Sequence, residues 1–238
     1  MNPKVLVGIV TYDGKDYIFP ECYKAVRNLD YDNYDVLIVD NSKGNSYYTK
    51  LLREGYKNVV HLQRAKNTRD TLSDSQNYIR HRMLDGNYDY LLMVESDLLP
   101  PPETITRLLN HNKLVTGSLY WLQGKIPGQE GKFKIPCIFF LEYKKESQAM
   151  GTRLITYQEL PSFLNTGLRQ VHGCGIGCTL FARSIVEKYP YWTDERFDNK
   201  HSDVYLYMDL HNNHIPVFVD TSFEVPHFPS DWGQVIDR

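Results

Sequence analysis

No run in the chain approaches the roughly 20 consecutive apolar residues that a membrane-spanning helix needs, so no segment reads as a span. An export leader is lacking as well. The apolar stretch Val5 to Val10 is short and passes straight into Thr11-Tyr12-Asp13. These absences predict a cytoplasmic protein, with peripheral membrane contact left open. Cysteine is scarce: of Cys22, Cys137, Cys174 and Cys178, just two are close, in "CGIGC". Zinc wants four ligands, usually as two close pairs, so the cysteines are expected as small buried hydrophobes. Excess charge is lacking too. A formal net charge of -2 over 238 residues leaves no basic field of the kind a general nucleic-acid binder carries. No repeat, low-complexity segment or linker interrupts the sequence, so one domain over 1–238 is the economical reading, with halves at 1–110 and 111–238.

What is present is a globular composition, 42% hydrophobic and 24% charged, enough for a sizeable core. The first half alternates strand and helix. "KVLVGIV", "YDVLIVD", "KNVVHL" and "YDYLLMV" are apolar runs suited to strands covered on both faces. Between them, helices are expected from about Pro20 to Leu29, over "SYYTKLLRE" with Gly55 ending it, and from Asp70 to Leu84 with Gly86 as the stop. Four βα units in a row predict an α/β fold with a parallel, Rossmann-like sheet. In the second half, Pro102-Glu103 opens a helix to about Leu109. "KLVTGSLYW", "PCIFFLEY" and "PVFVD" read as strands, and "SDVYLYMDLHNN" as a helix burying Val204, Tyr207, Met208 and His211. "LQGKIPGQEGKFK" and the stretch from Lys144 to Pro161 read as loops.

The stretch "VESDLLPPPET" stands where the fourth strand ends. Ligands of open parallel sheets bind at the carboxyl ends of strands. In an extended segment Glu95 and Asp97 point to one side, and two hard oxygen donors suit Mg²⁺ or Mn²⁺ beside a diphosphate. Three prolines then stiffen the chain. The alternative is a solvated acidic turn capping the next helix. Asp40, at the end of the second strand, either accepts an N–H from a nucleobase or caps the turn at Asn41-Ser42. Eighteen tyrosines serve a sugar or base site, or ordinary core and rim. Trp121 and Trp232 carry the same two readings.

The blocks "VGIVTYDG", "VLIVDNS", "YLLMVESDLLPPP", "HGCGIGCTLFARSIVEKYPYW", "HSDVYLYMDLHNN" and "VPHFP" occur in the order seen in GT-A fold glycosyltransferases. They look most like family 2 and its small viral and microbial relatives, and the resemblance runs from residue 4 to about 229. It implies a mostly parallel central sheet flanked by helices, with a smaller mixed C-terminal sheet. It also implies that Thr11, Tyr12 and Asp40 hold the nucleotide base. The metal-binding "DxD" motif here reads Glu95-Ser96-Asp97, departing at its first position. Asp97 is the first metal ligand by this resemblance, Glu95 serves metal or ribose, and His227 in "VPHFP" is a further ligand. One imidazole among carboxylates leans toward Mn²⁺. Asp203 matches the family's catalytic base, with Ser202 in place of the preceding acid. A first-turn position favours the ionised form through the helix dipole; capping is the other role open to Asp203. Gly173, Gly175 and His172 match the loop beside the acceptor, and Arg69, from the cluster Arg64, Lys66 and Arg69, is a candidate to balance the diphosphate.

The resemblance thus implies a metal-dependent, inverting transfer from a UDP- or GDP-sugar to a glycan or other hydroxyl acceptor. Two competing readings stand beside it. A sugar-nucleotide pyrophosphorylase shares the nucleotide half but needs a basic, Gly-rich loop after the first strand, and "TYDGKDY" has one glycine and one lysine. A non-catalytic nucleotide or carbohydrate-binding module of the same fold is motivated by the altered acids Glu95 and Ser202.

Overall fold

The continuous apolar runs of the first half do become buried parallel strands. In the computed structural model, which describes residues 2–124, 130–144, 149–156, 158–196, 201–230 and 235–236, these are β1 (Val5–Thr11), β2 (Tyr34–Asp40), β3 (Val59–His61) and β4 (Tyr90–Glu95). The helices between them are α1 (Phe19–Arg27), α2 (Ser46–Arg53) and α3 (Thr68–Asp85). α3 starts two residues before the expected Asp70, because the Asn67 side chain caps it by accepting from the Asp70 N–H at 2.9 Å. Its C-terminal carbonyls are gathered by one guanidinium: Arg183 donates to the carbonyls of Leu84 (2.9 Å), Gly86 (3.1 Å) and Tyr88 (3.0 Å).

The second half supplies α4 (Thr104–Asn110), β5 (Val115–Leu119), β6 (Trp121–Gly124), β7 (Lys132–Pro136), β8 (Ile138–Lys144), β9 (Ala149–Leu154) and α5 (Leu160–Phe163). These are followed by β10 (Leu168–Val171), β11 (Gly173–Cys174), β12 (Cys178–Ala182), α6 (Arg183–Lys188), α7 (Ser202–Asn212), β13 (Val217–Glu224) and β14 (Val235–Ile236). Four of these strands extend the first-half sheet, giving the order β10-β13-β5-β12-β4-β1-β2-β3. Pairing is parallel from β4 through β1 and β2 to β3, and antiparallel on both sides of β12. The smaller sheet appears as two three-stranded ones, β11-β8-β9 and β14-β7-β6.

Several local expectations need correction. "LQGKIPGQEGKFK" is not simply a loop, because its ends pair as the β6–β7 antiparallel ladder. The stretch after Lys144 contains β9, paired along β8 from Phe139↔Leu154 onward. α4 begins at Thr104, after the prolines rather than on them; the Pro101 carbonyl accepts from the Thr104 N–H (3.1 Å) and hydroxyl (2.6 Å). The buried residues of α7 are Ser202, Tyr205, Leu206, Tyr207 and Leu210, more than one stripe, because the helix is enclosed on several sides. Trp232 and parts of the two long loops lie outside the described residues. Among the described residues, no helix is long and apolar enough to cross a membrane. All four cysteines are buried free thiols.

Candidate active site

Register fixes where the strand-end residues meet. Thr11 pairs with Asp40 and Val10 with Glu95, so the carboxyl ends of β1, β2 and β4 form one edge. The chain after Glu95 does not stay extended. It turns, with the Leu98 N–H reaching the Glu95 carbonyl at 3.0 Å. A C-terminal segment then docks on the turn: Leu98 and His227 form a β-bridge, Phe228 N–H donates to the Asp97 carbonyl (2.9 Å) and Leu99 N–H to that of Pro226 (2.9 Å). That bridge carries His227 to the carboxylates across 130 residues of sequence.

Glu95, Asp97 and His227 offer ligand atoms that all lie within 4.8 Å of one another. Asp97 is buried, its side chain 4% exposed. Its Oδ2 lies 3.3 Å from His227 Nε2 and also pairs with the Lys15 ammonium. The His227 ring is oriented from behind, its Nδ1–H donating to the Trp121 carbonyl at 2.6 Å, which leaves Nε2 for the cluster. Tyr120 meets the same ring edge-on at 5.6 Å. Burial and the neighbouring Asp97 charge push Glu95 up to about 7, although His227 and Lys15 pull the other way. Burial raises Asp97, but the His227 and Lys15 charges outweigh it and leave Asp97 below the usual carboxylate range. Two hard oxygens and one oriented imidazole, drawn together at a cost in desolvation, fit a divalent cation such as Mn²⁺ or Mg²⁺.

Asp203 stands in the first turn of α7, its Oδ1 accepting from the Val204 N–H at 2.8 Å. Its charge is one of those that raise Glu95. Burial pushes the Asp203 carboxyl above the usual carboxylate range and outweighs that hydrogen bond. Ser202, in place of an acid, is buried and donates to Gln76 Oε1 at 2.6 Å, pinning the start of α7 to α3.

The other sequence-predicted residues are placed differently. Asp40 is fully buried with both oxygens engaged: Oδ1 accepts from the Ser42 N–H (3.0 Å) and hydroxyl (2.6 Å), and Oδ2 meets His61 Nδ1 at 2.7 Å. Thr11 is buried beside it, while Tyr12 is exposed on the rim. Arg69 lies at the start of α3, where its charge acts on Tyr205 of α7. His172 lines a cavity of about 460 Å³ whose lining includes none of the clustered ligands, its ring tilted against that of His211 at 4.7 Å. Gly173 and Gly175 are buried: a Cβ at the first would strike the Phe139 ring, and one at the second would strike the Tyr120 hydroxyl and lie 2.6 Å from Cys137 Sγ.

Two residues were missed. Gly177, in the same glycine-rich loop, touches the cluster: its carbonyl accepts from the Glu95 N–H at 2.8 Å, and an added Cβ would sit 2.8 Å from the Glu95 carboxylate. Lys15 follows β1 on a single 3₁₀ turn, Asp13–Lys15. Its sequence signal was a lone lysine at a strand end, weighed just as too little for a phosphate loop.

This edge gathers strand-end carboxylates and a returning histidine at the carboxyl side of an α/β sheet. The model of the glycosyl transferase family 2 matches residues 6–190, and the chain belongs to that family. The reaction class that comes with it is glycosyl transfer. The solved crystal structure of A197 from STIV is similar over 95% of this chain and 86% of that one, at 14% identity and a TM-score of 0.43. No curated protein gives a significant match.

Proposed function

We propose that the protein transfers a sugar from a nucleoside diphosphate donor, a UDP- or GDP-sugar, to a hydroxyl of a glycan or another acceptor, inverting the anomeric centre with the help of a divalent cation. The observation that carries the reading is the convergence of Glu95, Asp97 and His227. Those three residues would hold the cation, which when bound supplies neutralisation of the charge developing on the leaving diphosphate. Asp203 is the base. With Oδ1 held by the Val204 N–H, Oδ2 is the atom that takes the acceptor proton as the hydroxyl oxygen attacks. A carboxylate raised by burial is a stronger base than a solvated one. The Ser202–Gln76 hydrogen bond fixes the helix start that aims it.

On the donor side, exposed Tyr12 offers an aromatic face, and Asp40 acts through Ser42 and His61, whose positions it sets. Arg69 is assigned to the diphosphate side. Gly173 and Gly175 support the acceptor side as backbone, by letting Phe139 and Tyr120 close beneath it. The test is transfer and hydrolysis across a panel of nucleotide sugars with Mn²⁺. Asp203→Asn is expected to abolish turnover and keep nucleotide binding; unchanged turnover rejects the assignment. Binding without turnover for every donor would point instead to a binding module.

A further inference from the structure

The resting site already contains a cation of its own. Lys15 is carried on the turn that follows β1, and its ammonium pairs with Asp97 Oδ2, the oxygen that also faces His227 Nε2. One enclosed carboxylate oxygen therefore has two claimants, brought by two different loops. Both loops are tied down. Tyr17 donates its hydroxyl proton to the Phe228 carbonyl at 2.8 Å, joining the Lys15 loop to the His227 segment. The Asp13 N–H donates to Ser42 Oγ at 2.8 Å, fixing the turn to the end of β2. The backbone under Lys15 is thus held, and what is left to move is its four-carbon stem, whose side chain is 25% exposed.

We propose that Lys15 is a tethered placeholder for the divalent cation: it neutralises Asp97 before the metal binds, competes with the metal for the same oxygen, and must swing away for the metal to load. The inference rests on the metal-centre reading above. Its physical basis is the geometry of the shared oxygen. An ammonium in contact with Asp97 Oδ2 stands where a coordinated cation has to approach, and two positive charges a few ångströms apart in a buried site repel strongly. Two carboxylates held this close favour a cation beside them, because each charge raises the cost of the other. Lys15 resolves that conflict before the metal arrives, at the expense of metal affinity.

The experiment measures Mn²⁺ alone, without nucleotide, by the loss of the free-ion electron paramagnetic resonance signal on binding to the full chain. Lys15→Met, which keeps the stem and removes the charge, is expected to bind Mn²⁺ tighter by about ten-fold or more. Lys15→Arg should keep the weaker affinity of the parent. Should Lys15→Met fail to fold, Lys15→Gln gives the same comparison. Equal or weaker Mn²⁺ binding by the uncharged variants overturns the placeholder role while leaving the metal centre intact. If neither parent nor variants take up Mn²⁺ at all, both the placeholder and the metal centre fall.

Discussion

Asp40 ends β2 and Asp97 stands two residues past the end of β4, on the same edge of the sheet and both nearly inaccessible to solvent, at 0% and 2% exposed. Their surroundings separate them. Asp40 is satisfied by its own neighbourhood, through a local turn to Ser42 and a strand partner at His61. Asp97 has a lysine from the β1 loop and a histidine from the far C-terminal segment, both claiming one oxygen. The first carboxylate is a brace and the second is a socket. The same residue type serves two ends, and the difference lies in where its partners come from: the adjoining turn and neighbouring strand for Asp40, two distant segments for Asp97.

Substitutions should pull the two apart. The largest effect is expected just outside the comparison, at the proposed base: Asp203→Asn should lower kcat by about 10² to 10⁴ with nucleotide affinity kept, read by steady-state kinetics and calorimetry. Next, Asp97→Ala should abolish the Mn²⁺-dependent rise in melting temperature with nucleoside diphosphate while leaving a folded protein. Asp40→Ala should do the reverse. Losing the partner of three buried donors should cost about 2–4 kcal/mol in urea unfolding, with the Mn²⁺ response retained in what stays folded. If both variants lose metal response equally and neither loses stability, the brace and the socket are not distinct.

Arg183→Ala probes a brace of the same kind at the other end of α3. Uncovering carbonyls now bonded to one guanidinium should cost about 1–3 kcal/mol, read by urea unfolding. The smallest expected effect is on pH. Glu95 is raised from about 4.5 to about 7, so between those values the folded, metal-free protein holds more protons than the unfolded chain. Stability must then fall as pH rises across that window. His227, raised through its bond to Asp97 despite burial, loses its contribution above 6.5 in the same direction. Glu95→Gln should flatten the 4.5-to-7 limb of melting temperature against pH; an unchanged slope would place the titration elsewhere.

The first half of the chain was far more legible than the rest. β1, β2 and β4 are covered on both faces, so their apolar character runs unbroken through the sequence. α3 was harder at its start, because the residues it buries there are polar: Thr71, Ser75 and Gln76 reach Asn67, Asn41 and Ser202. β7 and β9 were missed. "KFKIP" and "AMGTRL" mix charged or small residues with apolar ones, and both strands belong to small three-stranded sheets. α7 misled for the opposite reason: a helix enclosed on several sides has no single stripe to read.

By itself the sequence determined the strand ends and the chemistry available at them: two acids after β4, an acid after β2, a histidine between prolines, and an acid at a helix start. Only the tertiary structure decided which of these acids face a cation and which are spent on the fold. The physical reason is range. Apolar periodicity is set by neighbours a few residues apart, whereas the state of a carboxylate is set by burial and by whatever charge the fold brings within a few ångströms. At Asp97 those charges come from residues 15 and 227.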